Sequence, residues 1–93
     1  VPTYYGDGSQ TDECLIADGC RIEGSLTNSV VFRDVKIGKN AIVKNSIIMQ
    51  GSTIGEGCYI ENAIIDKDAE ISDSAHLQGA ISTPIIIEKG ESV

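Results

Sequence analysis

Aromatic residues are almost missing from this chain. There is no tryptophan, one phenylalanine (Phe32) and three tyrosines, at Tyr4, Tyr5 and Tyr59. Large rings usually fill a sandwich core, so the core of these 93 residues has to be built from something else. Basic residues are also few, 7 against 14 acidic ones, for a formal charge of −7. That balance speaks against nucleic acid or an anionic membrane as partner, because both need a basic face. No apolar run approaches the ~20 residues of a membrane helix. The N-terminus, Val1-Pro2-Thr3-Tyr4-Tyr5-Gly6, lacks a Met start and a signal-peptide pattern, and reads as the start of a fragment or a processed product. Three cysteines, Cys14, Cys20 and Cys58, form an odd set without CxxC spacing. They suggest neither a disulfide framework nor a zinc site, and fit reduced thiols in a cytoplasmic setting. A single histidine, His76, leaves no three-His zinc centre within one chain type.

What the chain does have is a repeat. Asn28-Ser29-Val30-Val31, Asn45-Ser46-Ile47-Ile48, Asn62-Ala63-Ile64-Ile65 and Gly79-Ala80-Ile81-Ser82 follow one another at 17-residue steps, with Glu13-Cys14-Leu15-Ile16 one 15-residue step earlier. Inside each coil, aliphatics fall at Val31, Ile37, Val43, Ile48, Ile54, Ile60, Ile65, Ile71 and Leu77, in steps of 6, 6 and 5. A second column is small: Val35, Ala41, Ser52, Cys58, Ala69 and Ala75, joined by Ser29, Ser46, Ala63 and Ala80 on the shortened side.

Two hexads and a pentad per coil describe a triangular prism. Each unit supplies a short strand and a corner. The aliphatic points inward and stacks on its equivalent in the next coil, while the small residue faces inward near the corner. Corners at Lys39-Asn40, Asp34, Gly57, Asp68 and Asp73 call for residues that tolerate left-handed backbone values. Neither a sandwich, with turns every 8–12 residues, nor a leucine-rich repeat of 20–29 fits these steps. The predicted fold is all-β: a single-stranded parallel β-helix of about five coils, with residues 1–10 as lead-in, 11–83 as coils and 84–93 as a closing segment.

Strand alternation assigns the remaining roles. Leu15, Val30, Ile47, Ile64 and Ile81 each precede an inward position, so they should point outward in one aliphatic stripe. Monomers rarely leave such a patch bare, which makes these five the candidate interface. Either the chain's own ends cover it (Tyr4-Tyr5 or Pro84–Ile87), or an absent domain or neighbouring subunit does. The cysteines occupy repeat positions and read as small buried residues. Asn28, Asn45 and Asn62 align for an amide ladder. His76 falls in the outward column Ile42, Tyr59, His76 and reads as an exposed residue rather than a general base. Arg21, Arg33, Lys36, Lys39 and Lys44 form a basic set that could meet a phosphorylated effector, though Asp7, Glu13, Asp18 and Glu23 dilute it into a solvated face.

The phrases Cys14-Leu15-Ile16-Ala17-Asp18-Gly19-Cys20, Asn28-Ser29-Val30-Val31-Phe32-Arg33 and Asn45-Ser46-Ile47-Ile48-Met49-Gln50 resemble the C-terminal domain of bacterial glucose-1-phosphate adenylyltransferases. The lead-in Pro2-Thr3-Tyr4-Tyr5-Gly6 and the run Pro84–Ile87 look most like the D-type accessory subunit. The resemblance implies a left-handed coil and a role in assembly and regulation within glycogen biosynthesis. It also implies a separate N-terminal nucleotidyltransferase domain, where ATP with Mg and glucose 1-phosphate react. It leaves open whether the parent is catalytic or only regulatory, and places partners in that N-terminal domain and in a homologous catalytic subunit. No catalytic, cofactor or metal residue is expected within these 93 residues. A hexapeptide-repeat acyltransferase is the alternative, weakened by the lone His76 and the lack of a long loop to wall an acyl pocket.

Overall fold

A computed structural model describes residues 1–93. Fifteen short strands form three parallel sheets of five, one sheet per side of a prism. The first face stacks Tyr4–Tyr5, Arg21–Ile22, Lys36–Ile37, Thr53–Ile54 and Glu70–Ile71. On the second lie Gln10–Asp12, Ser25–Thr27, Ile42–Lys44, Tyr59–Glu61 and His76–Gln78. The third holds Leu15–Ile16, Val30–Val31, Ile47–Ile48, Ala63–Ile65 and Ile85–Ile87. Five rungs on each face make about four full turns from first to last, and the hexad pattern is consistent with a left-handed coil. The molecule measures 32 × 23 × 22 Å.

The aliphatic column is the core. Val31, Ile37, Val43, Ile48, Ile54, Ile60, Ile65 and Ile71 are all buried, and Ile22 and Leu26 continue the column toward the N-terminus. Leu77, in the last rung, is half-buried. The small column is buried beside it but is more than filler. The Ser52 hydroxyl donates to the Asp66 carbonyl at 2.6 Å and accepts the Ala69 N–H at 3.2 Å. Ser46 does the same between the Lys44 carbonyl and the Ala63 N–H. The thiols of Cys20 and Cys58 each donate to a carbonyl, of Phe32 and of Ser72, at 3.0 Å. The cysteines are free, and no buried side-chain polar atom lacks a partner. Composition alone identifies these positions as small; the coil geometry shows that a hydroxyl or thiol there ties one rung to the next.

Corners follow the expected chemistry with one shift. Asp34, Asn40, Gly57 and Asp68 have φ of 59°, 62°, 70° and 56°. At the predicted Asp73 corner the left-handed residue is Ser74, φ 62°, and Asp73 instead accepts the Glu56 N–H through Oδ1 at 2.9 Å. Asn28, Asn45 and Asn62 are left-handed as well, and Glu13 holds that conformation (φ 54°) in the first rung. The amide ladder is discontinuous: Asn28 donates to Asn45 at 2.9 Å, while Asn62 donates onward to the Gly79 carbonyl at 3.0 Å.

The ladder reaches beyond residues 11–83 at both ends. Tyr4–Tyr5 already pairs with Arg21–Ile22, and Ile85–Ile87 pairs with Ala63–Ile65. The second pairing moves Ile81 out of line. Ile64 stands opposite Ile86, 22 positions on, and not opposite Ile81 at 17. Keeping the 17-residue step would have put Ser82 at the inward place after Ile65, whereas the longer step seats Ile87 there, 5% exposed. Burying an aliphatic of that size contributes about 2 kcal/mol. Residues 80–83 leave the coil as a tight turn, closed by paired bonds between Ala80 and Thr83 at 3.2 and 3.1 Å.

Candidate functional site

The three faces share one interior but differ outside. On the first face the outward residues are Tyr4, Arg21, Lys36, Thr53 and Glu70. The second presents mixed pairs such as Ser25 with Thr27, Ile42 with Lys44 and Tyr59 with Glu61. On the third face every outward residue in register is aliphatic: Leu15, Val30, Ile47, Ile64 and Ile86. Leu15 is 73% exposed, Ile86 63% and Ile47 37%, with Val30 and Ile64 half-buried between them. Four of the five predicted interface residues therefore line up, and Ile86 occupies the fifth place. Ile81, 86% exposed on its turn, still lines a depression of about 350 Å³ together with Ile47 and Ile64.

The stripe is wider at one end. Two positions beyond each ladder residue come Ala17, Phe32 and Met49 in the first three rungs, then Asp66 and Glu88 in the last two. Leu15, Val30 and Phe32 line a shallow apolar depression of about 480 Å³, bordered by Arg33 and Gln50. Neither end of the chain covers this face: Tyr4–Tyr5 belongs to the first face, and Ile85–Ile87 extends the stripe.

His76 is exposed; its ring stacks on Tyr59 with centroids 4.9 Å apart, and its Nε2 lies 3.2 Å from Gln78 Oε1. Tyr59 donates its hydroxyl proton to Glu61 at 2.8 Å. That bond to the carboxylate, with some burial and the adjacent negative charge, raises the phenol above its ordinary pKa of 10.0. The basic set is scattered: Arg21 packs over the Tyr4 ring and reaches Glu23 at 3.4 Å, Lys44 sits over Tyr59, and Arg33 flanks the third face. No group of three or more His, Cys, Asp or Glu side chains is placed to hold a metal ion. No helix is long and apolar enough to cross a membrane.

The model of the family described as GlmU-like, C-terminal hexapeptide matches residues 2–80. The chain is 55% identical over 42 residues to the glycogen biosynthesis protein GlgD of Geobacillus stearothermophilus, a stretch covering 45% of this chain and 12% of that protein. It is 46% identical over 43 residues to the glucose-1-phosphate adenylyltransferase of Mycoplasma mobile, covering 46% of this chain and 11% of the enzyme. The glucose-1-phosphate adenylyltransferase of Thermosipho africanus is 50% identical over 43 residues, covering 46% and 10%. The shared stretch is thus about a tenth of each relative's length.

Proposed function

The chain belongs to the GlmU-like, C-terminal hexapeptide family, and we propose that it is the β-helix domain of a glucose-1-phosphate adenylyltransferase-type subunit of glycogen biosynthesis, acting in assembly and regulation. The chemistry, ATP plus glucose 1-phosphate giving ADP-glucose plus diphosphate, belongs on this reading to a separate nucleotidyltransferase domain in the cytoplasm. ATP and its Mg are held there. The D-type accessory subunit is the closer model for the parent, because the GlgD likeness joins the lead-in and Pro84–Ile87 features.

The observation that carries the reading is the outward ladder of Leu15, Val30, Ile47, Ile64 and Ile86. A row of aliphatics in register across five rungs, with a polar column on the first face and mixed ones on the second, is what a docking surface for a catalytic domain or subunit requires. An acyltransferase is the poorer fit, since the one histidine is stacked and exposed on the second face.

The test uses the full-length parent. ADP-glucose formation is measured with the parent alone and with a catalytic subunit added, and assembly is followed by sedimentation. The expected result is no activity alone, altered rate or effector response in the mixture, and assembly weakened at least about tenfold (roughly 1.4 kcal/mol) by Ile47→Asp with Ile64→Asp. Robust activity alone would make the parent an ordinary catalytic subunit. Assembly untouched by the double substitution would sink the docking role of the third face.

A further inference from the structure

One corner of the coil is too short, and the shortfall leaves a notch. Between the first and second faces, six positions separate inward residues in rungs 3 and 4, Ile37 to Val43 and Ile54 to Ile60. Rung 2 makes the same passage in four, Ile22 to Leu26. Its chain cuts straight across at Gly24, where an added Cβ would lie 2.5 Å from the Ala41 carbonyl oxygen and 2.8 Å from that of Gly38. The full-length corners on either side both close as turns, Ser9 N–H to Gly6 C=O at 3.0 Å in rung 1 and Ala41 N–H to Gly38 C=O at 3.2 Å in rung 3. Two rung spacings, about 9.6 Å, separate those turns. The space between them is a notch of about 630 Å³ lined by Asp7, Gly8, Glu23, Ser25, Lys39 and Asn40, with Tyr4 and Ile42 at its sides.

The missing corner also orphans two backbone groups. At this corner each rung is tied to the one before by a single bond: Ser74 N–H to Glu56 C=O at 2.8 Å, then Gly57 N–H to Lys39 C=O at 2.9 Å. Continuing the series, Asn40 N–H would donate to rung 2, and rung 2 would donate to Asp7 C=O. Rung 2 lacks the residues for both, so Asn40 N–H and Asp7 C=O have no backbone partner. A donor and an acceptor without backbone partners therefore both belong to the residues that line the notch.

We propose that this notch is a docking site for a tight peptide turn of a partner protein, which supplies the missing corner of rung 2. The incoming turn accepts a hydrogen bond from Asn40 N–H and donates one to Asp7 C=O, a local form of strand addition. The neighbouring corners set its conformation. Asn40, Gly57 and Ser74 are left-handed, with φ of 62°, 70° and 62°, so the visiting turn carries glycine or asparagine at the matching place. Asp7 and Glu23 outnumber Lys39 in the lining, so the visitor carries a single positive charge.

The probe is a cyclic hexapeptide presenting Gly-Lys-Asn-Ala, the turn that rung 3 carries at Gly38–Ala41. It is titrated into the ¹⁵N-labelled full chain and followed by amide chemical shifts. The Asn40 amide proton moves downfield and saturates in the millimolar range, with Gly8 and Ser25 responding and the third face silent. Gly8→Phe fills the mouth without disturbing the fold, because a Cβ at Gly8 meets nothing within 4 Å; it weakens binding at least about tenfold. A second variant inserts Lys-Asn between Glu23 and Gly24 to rebuild the corner; it abolishes peptide binding and slows Asn40 amide exchange. The proposal is overturned by the absence of a saturable Asn40 shift up to about 20 mM peptide, by equal binding to Gly8→Phe, or by unchanged Asn40 exchange in a folded insertion variant.

Discussion

The second and third faces of the prism are built on the same interior and part company outside. Val43 and Ile60 on the second face are as buried as Ile48 and Ile65 on the third, each at 0% exposure. One residue earlier along those strands the second face shows Ile42 and Tyr59, each with a charged residue two positions on, Lys44 and Glu61, while the third shows Ile47 followed by Met49 and Ile64 followed by Asp66. In a solenoid each coil is buried against the next, so the inward columns decide whether the chain folds. The outward columns are then free to differ, and an aliphatic one is retained only where something covers it.

The sharpest way to break that comparison is to change two adjacent residues. Ile48 and Ile47 are consecutive on one strand and point to opposite sides, one fully buried and one 37% exposed. Ile48→Ala is expected to cost about 2–5 kcal/mol, from lost burial and the cavity left behind. Ile47→Ala in the same chain should stay within about 0.5 kcal/mol. Urea unfolding of the two variants measures the difference. Equal losses would mean that the third face is already covered within this chain, and the contrast between its inside and outside would fail.

A smaller effect separates the short corner from the regular ones. Gly24→Ala drives a methyl toward two backbone oxygens, 2.5 and 2.8 Å away, that belong to the turn of the next rung and cannot swing aside. Overpacking of this kind costs about 1–3 kcal/mol. Gly8→Ala, one rung earlier with open space around its Cβ, should change stability by no more than about 0.5 kcal/mol. Thermal unfolding of the pair decides whether Gly24 is what permits the shortcut. A neutral Gly24→Ala would show that the rungs relax around it.

Much of this is legible in the sequence. The inward column could be read directly because its steps of 6, 6 and 5 tolerate no other assignment, and the His76 column followed from the same register. The 15-residue step was equally visible, but not where the two residues are missing. Only the pairing of Arg21 with Lys36 and of Ser25 with Ile42 places the loss between Ile22 and Leu26. Ile81 was misplaced because Gly79-Ala80-Ile81-Ser82 satisfies the spacing and nearly the composition. What decided against it was an inward position that would have received Ser82, when Ile87 lay five residues further along. The hydrogen bonds of Ser46, Ser52, Cys20 and Cys58 left a faint signal, polar atoms in a column otherwise filled by alanine and valine.

The smallest expected effect belongs to the second face and tests whether its polar decoration is organised. Tyr59 donates to the Glu61 carboxylate at 2.8 Å, and that bond, more than burial or the carboxylate's charge, holds the proton on the phenol and raises its pKa above 10.0. A raised pKa in the folded chain stabilises the protonated form. Its contribution is therefore complete below the unfolded value near 10 and is lost as pH climbs through the raised folded value. Near-ultraviolet titration should find Tyr59 ionising above 10.0, and Glu61→Gln should bring it back toward 10.0 by removing the charged acceptor. The two side chains are only half-buried and lie at the surface, where water screens the charge, so stability at neutral pH should move little with this substitution. If Tyr59 ionises at the same pH in both proteins, the Tyr59–Glu61 pair is not held in solution, and the second face is a solvated surface with no fixed polar structure.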